Sequence, residues 1–150
     1  MVVDRNGLEI LPRSECLRLL ESRPVGRLAV TRHALPAILP VNYRLVGEDV
    51  VFATGTGSKS LSVDRQQVVA FEVDDFDAAT RWGWSVLVVG VLRRIPAGGH
   101  QWHEVREWCA EPWVGRHATE LVRLGTERLS GRRLVPRGGQ LEEHPGALTG

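Results

Sequence analysis

One segment of the chain combines residue types that bind anions at a spacing suited to a phosphate group. Phe52-Ala53-Thr54-Gly55-Thr56-Gly57-Ser58-Lys59-Ser60 follows a run of strand-forming residues and precedes a helical one. Glycines let backbone N–H groups approach an anion, hydroxyls donate hydrogen bonds to phosphate oxygens, and a lysine adds positive charge. The segment predicts an anion-binding loop, and a polar turn with a helix cap is the alternative interpretation.

The two best-known nucleotide-binding motifs do not fit this segment. A Walker A loop requires glycine before the lysine, where this chain has Ser58. The pattern G-x-G-x-x-G requires a third glycine at Ser60, and no strand–helix–strand unit surrounds it. The loop is therefore expected to bind a phosphate in another kind of fold.

Two strand segments carry further candidate residues. Pro40-Val41-Asn42-Tyr43 offers an amide and a proline that marks a bulge or an edge, where freed backbone groups could contact a flat ligand. The alternative is a bent edge strand without a ligand. Trp82 and Trp84-Ser85 begin the longest apolar strand, where tryptophan serves the core, an interface or ligand stacking.

Other chemistry is poorly supported by the residue pattern. His100 and His103 share a helix face, but with Cys109 and His117 they lack the second cysteine or carboxylate that would complete a metal site. Cys16 has acidic neighbours, a poor setting for a thiolate. We predict no metal and assign no catalytic residue, and a chain with a phosphate-binding loop but no acid–base pair often leaves the chemistry to a cofactor.

The elements that must position these residues are mainly strands. Residues 15–21 form an amphipathic helix with Ser14 as its N-cap, a short helical segment covers 61–66, and a second helix runs from 100 to 110. Short alternating runs predict six strands: 27–31, 37–45, 50–54, 68–74, 84–92 and 119–124, with 127–133 continuing or hairpinning from the last. The fifth is apolar on both faces, which predicts a central strand packed on both sides. Close spacing and short turns predict a small, closed antiparallel barrel.

Composition limits the class of protein. The 150 residues suit one domain, 43% are apolar, and 19 basic against 18 acidic residues give no field that favours nucleic acid or an acidic membrane. Two cysteines and the lack of a signal-peptide pattern predict a cytoplasmic protein. We expect residues 1–135 to form the domain and 136–150, rich in glycine and proline, to be a flexible tail.

In the order of these segments, residues 14–95 resemble the pyridoxamine 5′-phosphate oxidase-related, FMN-binding split-barrel family. The matching motifs are Pro24-Val25-Gly26-Arg27, Leu39-Pro40-Val41-Asn42-Tyr43, Val51-Phe52-Ala53-Thr54 running into Gly57-Ser58-Lys59, Val69-Ala70-Phe71-Glu72-Val73-Asp74, and Gly83-Trp84-Ser85-Val86-Leu87-Val88-Val89-Gly90. Residues 128–133 resemble the family's closing Ser-Gly-Arg segment. Each motif is weak alone, but five in order are fairly specific.

The resemblance implies a mainly β, six-stranded antiparallel split barrel that forms a homodimer, with FMN in a cleft between the subunits. By position, it implies that the isoalloxazine lies near one strand, that the ribityl phosphate is held by the anion-binding loop, and that the longest strand helps to line the pocket. The cofactor-binding residues are then Pro40, Val41 and Asn42 for the ring, Thr54, Ser58 and Lys59 for the phosphate, Trp84 and Ser85 for the lining, and Phe52.

The chain departs from the vitamin-forming oxidase at its C-terminus, which lacks the arginine-rich segment that grips the substrate phosphate. FMN binding therefore carries over better than pyridoxamine phosphate oxidation, and in the wider family a deazaflavin can replace FMN. Three hypotheses remain: a flavin-dependent oxidoreductase for a small, unidentified substrate, a non-catalytic flavin or deazaflavin module, and a haem-binding protein with His33, His100 or His103 as axial ligand.

Overall fold

The computed structural model describes residues 1–55, 63–109 and 118–134 and has a mainly β architecture. The helices are α1 (Arg13–Glu21) and α2 (His100–Cys109), with a 3-10 helix at Val63–Arg65. The strands are β1 (Glu9–Ile10), β2 (Val25–Arg32), β3 (Leu35–Asn42), β4 (Arg44–Val46), β5 (Asp49–Gly55), β6 (Val68–Asp77), β7 (Trp82–Arg94), β8 (Ala118–Leu124) and β9 (Arg128–Leu134). Within these ranges no helix is long and apolar enough to cross a membrane.

The strands form one antiparallel sheet that curls into a barrel. Its order is β3-β2-β6-β7-β8-β5-β4, and β9 pairs with β7 and β1. The long strand β7 pairs with β6 and β9 over its first part and with β8 at its end, which makes it the centre of the sheet as predicted. Strand β9, which follows β8 in sequence, pairs with β7 instead of forming a hairpin with β8.

The predicted mainly β split barrel is confirmed, with two corrections. The described residues form nine strands rather than six, and β1 and β4 are only two and three residues long. The sheet is also not closed by hydrogen bonds, because β3 and β5 are in contact but no ladder joins them in the described part of the chain. The barrel is thus split along the line between these two strands.

The second predicted strand, 37–45, divides at Tyr43. This side chain is buried, its hydroxyl donates to the carbonyl of Leu20 in α1, and its ring meets Phe71 edge-on with 4.8 Å between centroids. The backbone N–H of Tyr43 donates to Pro24. Tyr43 is therefore bound to the helix and the core rather than to a strand partner, and the chain bends between β3 and β4.

Helix α1 begins one residue before the predicted N-cap. Pro12 holds the N-cap position in an extended conformation and makes no side-chain cap, so the prediction of Ser14 as N-cap is wrong. The carbonyl of Pro12 accepts the first hydrogen bonds, including that of the Cys16 N–H. The buried face of α1, with Leu19 and Leu20, packs into the interior of the barrel.

Alternation along the strands separates an inward face from an outward face. On β7, Val86, Val88 and Leu92 belong to the main core, whereas the residues between them point outward and Leu87 is 39% exposed. Within the described chain, β7 is therefore packed on one side, contrary to the two-sided packing that its apolar sequence predicts. The residues that the structure describes leave the outward face uncovered.

Candidate functional site

The segment that the sequence predicts as an anion-binding loop begins where β5 loses its regular pairing. The register between β5 and β8 shifts between Thr54 and Gly55, as in a β-bulge. Thr54 is only 7% exposed, and its Oγ1 has no hydrogen-bond partner in the described residues. A buried polar atom without a partner costs about 1–3 kcal/mol, so its persistence points to a partner outside the described residues. Ser58 and Lys59 lie outside the described residues.

Two charged side chains beside Thr54 were not identified from the sequence. Glu120 on β8 is the direct cross-strand neighbour of Thr54, and one of its carboxylate oxygens pairs with Arg94 of β7. The other oxygen, Oε2, is buried and makes no hydrogen bond among the described residues. A sequence signal did exist, since Glu120 takes an inward position in an alternating strand whose next inward residues are Val122 and Leu124.

The predicted ring-binding segment lies on β3, which pairs only with β2 in the described chain. Pro40 stands opposite Arg27 in a regular register, so of the two alternatives for this proline, bulge or edge, the edge is right. Val41 packs against the main core, whereas Pro40 and Asn42 alternate with it and point outward. Only two of the three side chains therefore share a face.

Trp84 and Ser85 also point to opposite faces of β7. Trp84 is half-buried against the core, and the guanidinium of Arg23 lies 6.0 Å from its ring centroid. Ser85 is exposed on the outward face, opposite Asp74 of β6. Since β2 and β6 lie between β3 and β7, strand spacings of ~4.8 Å separate Ser85 from Asn42 by about 14 Å.

One chain therefore does not gather the whole predicted set around a single cavity. Phe52 is fully buried, one of the largest core side chains, and its ring is not available to a ligand in this chain. The inward-facing members are Val41, Phe52, Thr54 and Trp84, and the outward-facing members are Pro40, Asn42 and Ser85.

A cluster of ion pairs lies on the outward face near these residues. Arg27 of β2 pairs with Glu72 at 3.2 Å and with Asp74 at 3.1 Å. Burial and the neighbouring Asp74 raise the pKa of Glu72, while its hydrogen bond from Arg27 opposes that shift. The single arginine thus binds two carboxylates on the outward face.

The thiol and imidazole groups whose side chains the structure describes are not assembled for catalysis. Burial, followed by the charge of Glu15, raises the pKa of the Cys16 thiol, which disfavours a thiolate. His33 lies exposed in the turn between β2 and β3, and His100 and His103 are exposed on α2. In the portion of the chain that the structure describes, no three His, Cys, Asp or Glu residues gather where a metal ion could bind.

The split antiparallel barrel, with α1 packed against its core and a register shift at the end of β5, defines the class of split-barrel proteins. The family model for pyridoxamine 5′-phosphate oxidase matches residues 12–133. The chain belongs to this family.

Comparisons with individual proteins agree with this assignment. An uncharacterised protein of Mycobacterium tuberculosis, Rv0080, is 37% identical over 130 residues, which cover 83% of this chain and 84% of that protein. The FAD-binding protein of Mycobacterium smegmatis is 32% identical with a TM-score of 0.69, covering 84% of this chain and 98% of that one. A conserved Corynebacterium diphtheriae protein of unknown function, DIP1874, is 34% identical with a TM-score of 0.66, covering 85% and 98%.

Proposed function

We propose that this protein is a cytoplasmic, homodimeric flavoprotein that binds FMN and oxidises or reduces a small molecule. The observation that carries the proposal is the buried, unpartnered hydroxyl of Thr54 at the head of the anion-binding loop, in a chain of this family. A phosphate oxygen would supply the missing partner, because a hydroxyl that donates to an anion forms one of the stronger hydrogen bonds. The bulge beside it frees backbone groups for the same ligand.

The negative charge of Glu120, next to Thr54, must be offset by positive charge if a phosphate is to bind there. If the Glu120 carboxylate had no ion pair, it would repel a phosphate bound beside Thr54. Its ion pair with Arg94 offsets that charge, and Lys59 is expected to add the positive charge that the phosphate needs. Arg94 and Glu120 are therefore proposed to orient the end of β5 and to offset each other's charge, so that Lys59 leaves the site positive before the cofactor binds.

The uncovered outward face supports a homodimer. Ile38, Ala29, Ala70 and Val89 are successive cross-strand neighbours on β3, β2, β6 and β7, so they form one flat apolar row. Ile38 is 69% exposed in the single chain. Contiguous apolar surface of this kind marks an interface, and a second copy of the chain presents the same surface.

A dimer would also complete the site that one chain leaves divided. Pro40 and Asn42 share the outward face with Ser85 but lie about 14 Å from it in the same chain, from three strand spacings of ~4.8 Å. With two outward faces packed together, Ser85 of the partner subunit can approach Pro40 and Asn42. The proposed flavin then lies between subunits, with its ring at β3 and its phosphate at the loop after β5.

In this mechanism the chain binds and orients the flavin, and the flavin would supply the electron transfer. Thr54 and the loop fix the phosphate, so the ring is placed by the length of the ribityl chain. The edge strand β3 offers backbone groups along the ring, because its outer side has no strand partner in the described chain. The apolar dimer face excludes water from the ring.

An absorption spectrum of the purified protein tests the cofactor class. FMN and FAD give the two-banded flavin spectrum, a deazaflavin gives one band at shorter wavelength, and haem gives an intense Soret band. A colourless protein that takes up none of the three after reconstitution would contradict the proposal. FAD is the second candidate among the flavins, because the similar Mycobacterium smegmatis protein binds FAD.

Substitution of Lys59 tests the phosphate assignment. Lys59→Ala should weaken FMN about 10- to 100-fold, since it removes a charge-assisted contact of roughly 1.5–3 kcal/mol. Riboflavin lacks the phosphate, so its affinity should be unchanged, and the ratio of the two affinities is the measurement. Equal weakening of both ligands would mean that Lys59 shapes the loop and does not contact the phosphate.

A further inference from the structure

A pocket of about 340 Å³ opens between the C-terminal end of α1, the strand β4 and the helix α2. Its size is that of a small-molecule site. None of its residues lies on β2, β3, β6 or β7, the strands that carry the outward apolar row, and none belongs to the predicted cofactor-binding set. The pocket is therefore separate from the proposed dimer face and from the predicted flavin contacts.

The floor of this pocket is apolar. It consists of four side chains that are at most 9% exposed: Leu20, Tyr43, Val46 and Val105. The Tyr43 hydroxyl is already used, since it donates to the carbonyl of Leu20. These four side chains therefore offer a packing surface and no free donor, which favours a ligand with an apolar body.

The rim of the pocket is charged. It consists of four exposed side chains: Glu21, Arg23, Arg44 and Glu104. Both arginines are engaged elsewhere, because Arg23 forms an ion pair with Asp75 of β6 and Arg44 also has a partner. Glu21 and Glu104 take part in no hydrogen bond or ion pair among the described residues. The rim groups that remain available to a ligand are thus two carboxylates, one from each helix.

The charge of the rim favours a cation. With Asp75, which offsets Arg23, the pocket carries three acidic and two basic side chains and hence one net negative charge. Glu21 is also the last residue of α1, where the helix dipole adds negative potential. An anion such as a phosphate ester would bring a second negative charge to this place. An ammonium group instead has three N–H donors that the free carboxylates can accept.

We propose that this pocket binds the substrate, a primary amine with an apolar body, as its ammonium ion. The body packs on the floor, and the ammonium donates to Glu21 and Glu104. Tyr43 of the floor follows Asn42, which is proposed to contact the flavin ring, so the two Cα atoms lie about 3.8 Å apart. That the amine is a substrate rests on the proposed flavin function, whereas its chemical class rests on the floor and the rim alone.

Calorimetric titration with three indoles tests the ligand class. Tryptamine is a cation, tryptophol is neutral and indole-3-propionate is an anion, and all three have the same ring on a short side chain. Tryptamine should bind the purified protein, tryptophol should bind about tenfold more weakly, and indole-3-propionate should bind more weakly still. Equal or tighter binding of either analogue, or no binding of tryptamine, would overturn the proposal.

Two exposed glutamates of α2 supply a matched control. Glu104→Gln should weaken tryptamine about threefold, as should Glu21→Gln. Glu104→Lys makes the net charge of the rim positive, so it should weaken tryptamine about tenfold and improve the binding of indole-3-propionate. Glu107 lies one turn further along α2 and outside the pocket, so Glu107→Gln should leave both affinities unchanged. Equal effects of Glu104→Gln and Glu107→Gln would overturn the assignment of Glu104.

The same titration with FMN-loaded protein separates this proposal from the flavin proposal. Tryptamine should bind the loaded protein as tightly as the cofactor-free protein, and it should shift the flavin absorption bands because it lies beside the ring. Displacement of tryptamine by FMN would overturn the proposal, since the pocket would then hold part of the flavin. Unshifted bands would refute the substrate role alone. If the protein binds tryptamine as described but no flavin at all, the flavin function fails, the substrate role fails with it, and the ligand class stands.

Discussion

Replacing Thr54 with valine should change stability and cofactor binding in opposite directions. The hydroxyl of Thr54 is buried and has no hydrogen-bond partner among the described residues, a condition that costs the folded protein about 1–3 kcal/mol. Thr54→Val keeps the branched shape and removes the polar atom. We expect the cofactor-free protein to gain about 1 kcal/mol of stability, which raises Tm by roughly 3 °C for a chain of this length.

The same substitution should weaken FMN. If the hydroxyl donates to the phosphate, its loss removes a hydrogen bond to a charged group of roughly 1.5–3 kcal/mol, or about 10- to 100-fold in affinity. Thermal unfolding of the cofactor-free protein and fluorescence titration with FMN measure the two effects separately. A residue that lowers stability but improves binding is the expected signature of a binding site, since such sites keep polar groups ready for a ligand.

Thr126 is the matched control because it is the other buried threonine of the described chain. It is 3% exposed, and its Oγ1 donates to the carbonyl of Glu48 at 2.8 Å and accepts from Arg13 at 2.9 Å. Thr126→Val should therefore destabilise the protein by about 1–3 kcal/mol without affecting FMN. If Thr54→Val destabilises the protein as Thr126→Val does, or leaves FMN affinity unchanged, the assignment of Thr54 to the phosphate is wrong.

Three further predictions concern assembly and stability. Ile38→Glu should convert a dimer of about twice 16.6 kDa into a monomer in light scattering. Leu35 is similarly exposed, at 67%, on the same strand but does not lie on the outward face, so Leu35→Glu should leave the dimer intact. Hydrogen bonding from Arg18 lowers the pKa of Glu15 to about 2, so its stabilisation is full above pH 4.5 and lost as pH falls to about 2. Glu15→Gln should thus cost about 1 kcal/mol at pH 7 and nothing at pH 2, measured by urea unfolding. Tyr43→Phe should cost about 1 kcal/mol, because it removes the buried hydrogen bond to α1.

These three also have clear contrary results. A wild-type monomer at micromolar concentration would contradict the interfacial flavin site as well as the role of Ile38. A stability difference for Glu15→Gln that persists at pH 2 would mean that its ion pairs are not the cause. Unchanged stability in Tyr43→Phe would mean that this hydroxyl does not hold β4 to α1.

Much of the fold follows from local sequence patterns. Period-two alternation located the long strands, and the two-faced apolar sequence of β7 correctly indicated a central position. That the outward face of β7 is uncovered could not be predicted. An apolar face has the same sequence pattern whether it packs within the chain or against a second copy. The break at Tyr43 was also hidden, because it depends on a hydrogen bond to Leu20, 23 residues earlier in the chain.

The candidate site was less predictable than the fold because its residues lie on strands, in which consecutive side chains point to opposite faces. Three consecutive residues of one strand cannot all direct their side chains to one ligand. Of the predicted ring-binding residues, Pro40 and Asn42 can use their side chains on the outward face, whereas Val41 packs inward and can contribute only its backbone.

The alternation of side chains along strands also separates Thr54, which points inward, from the residues proposed to contact the flavin ring. Its hydroxyl faces the barrel interior beside Glu120, while Asn42 faces outward on β3, across the split from β5. A ligand that reaches both kinds of position must pass the open edge of the split, where β3 and β5 touch without pairing. A fully hydrogen-bonded barrel would leave no such passage between its inner and outer faces. In the proposed function, the split is therefore the feature by which a long cofactor would place its phosphate inside the mouth of the barrel and its ring on the outside.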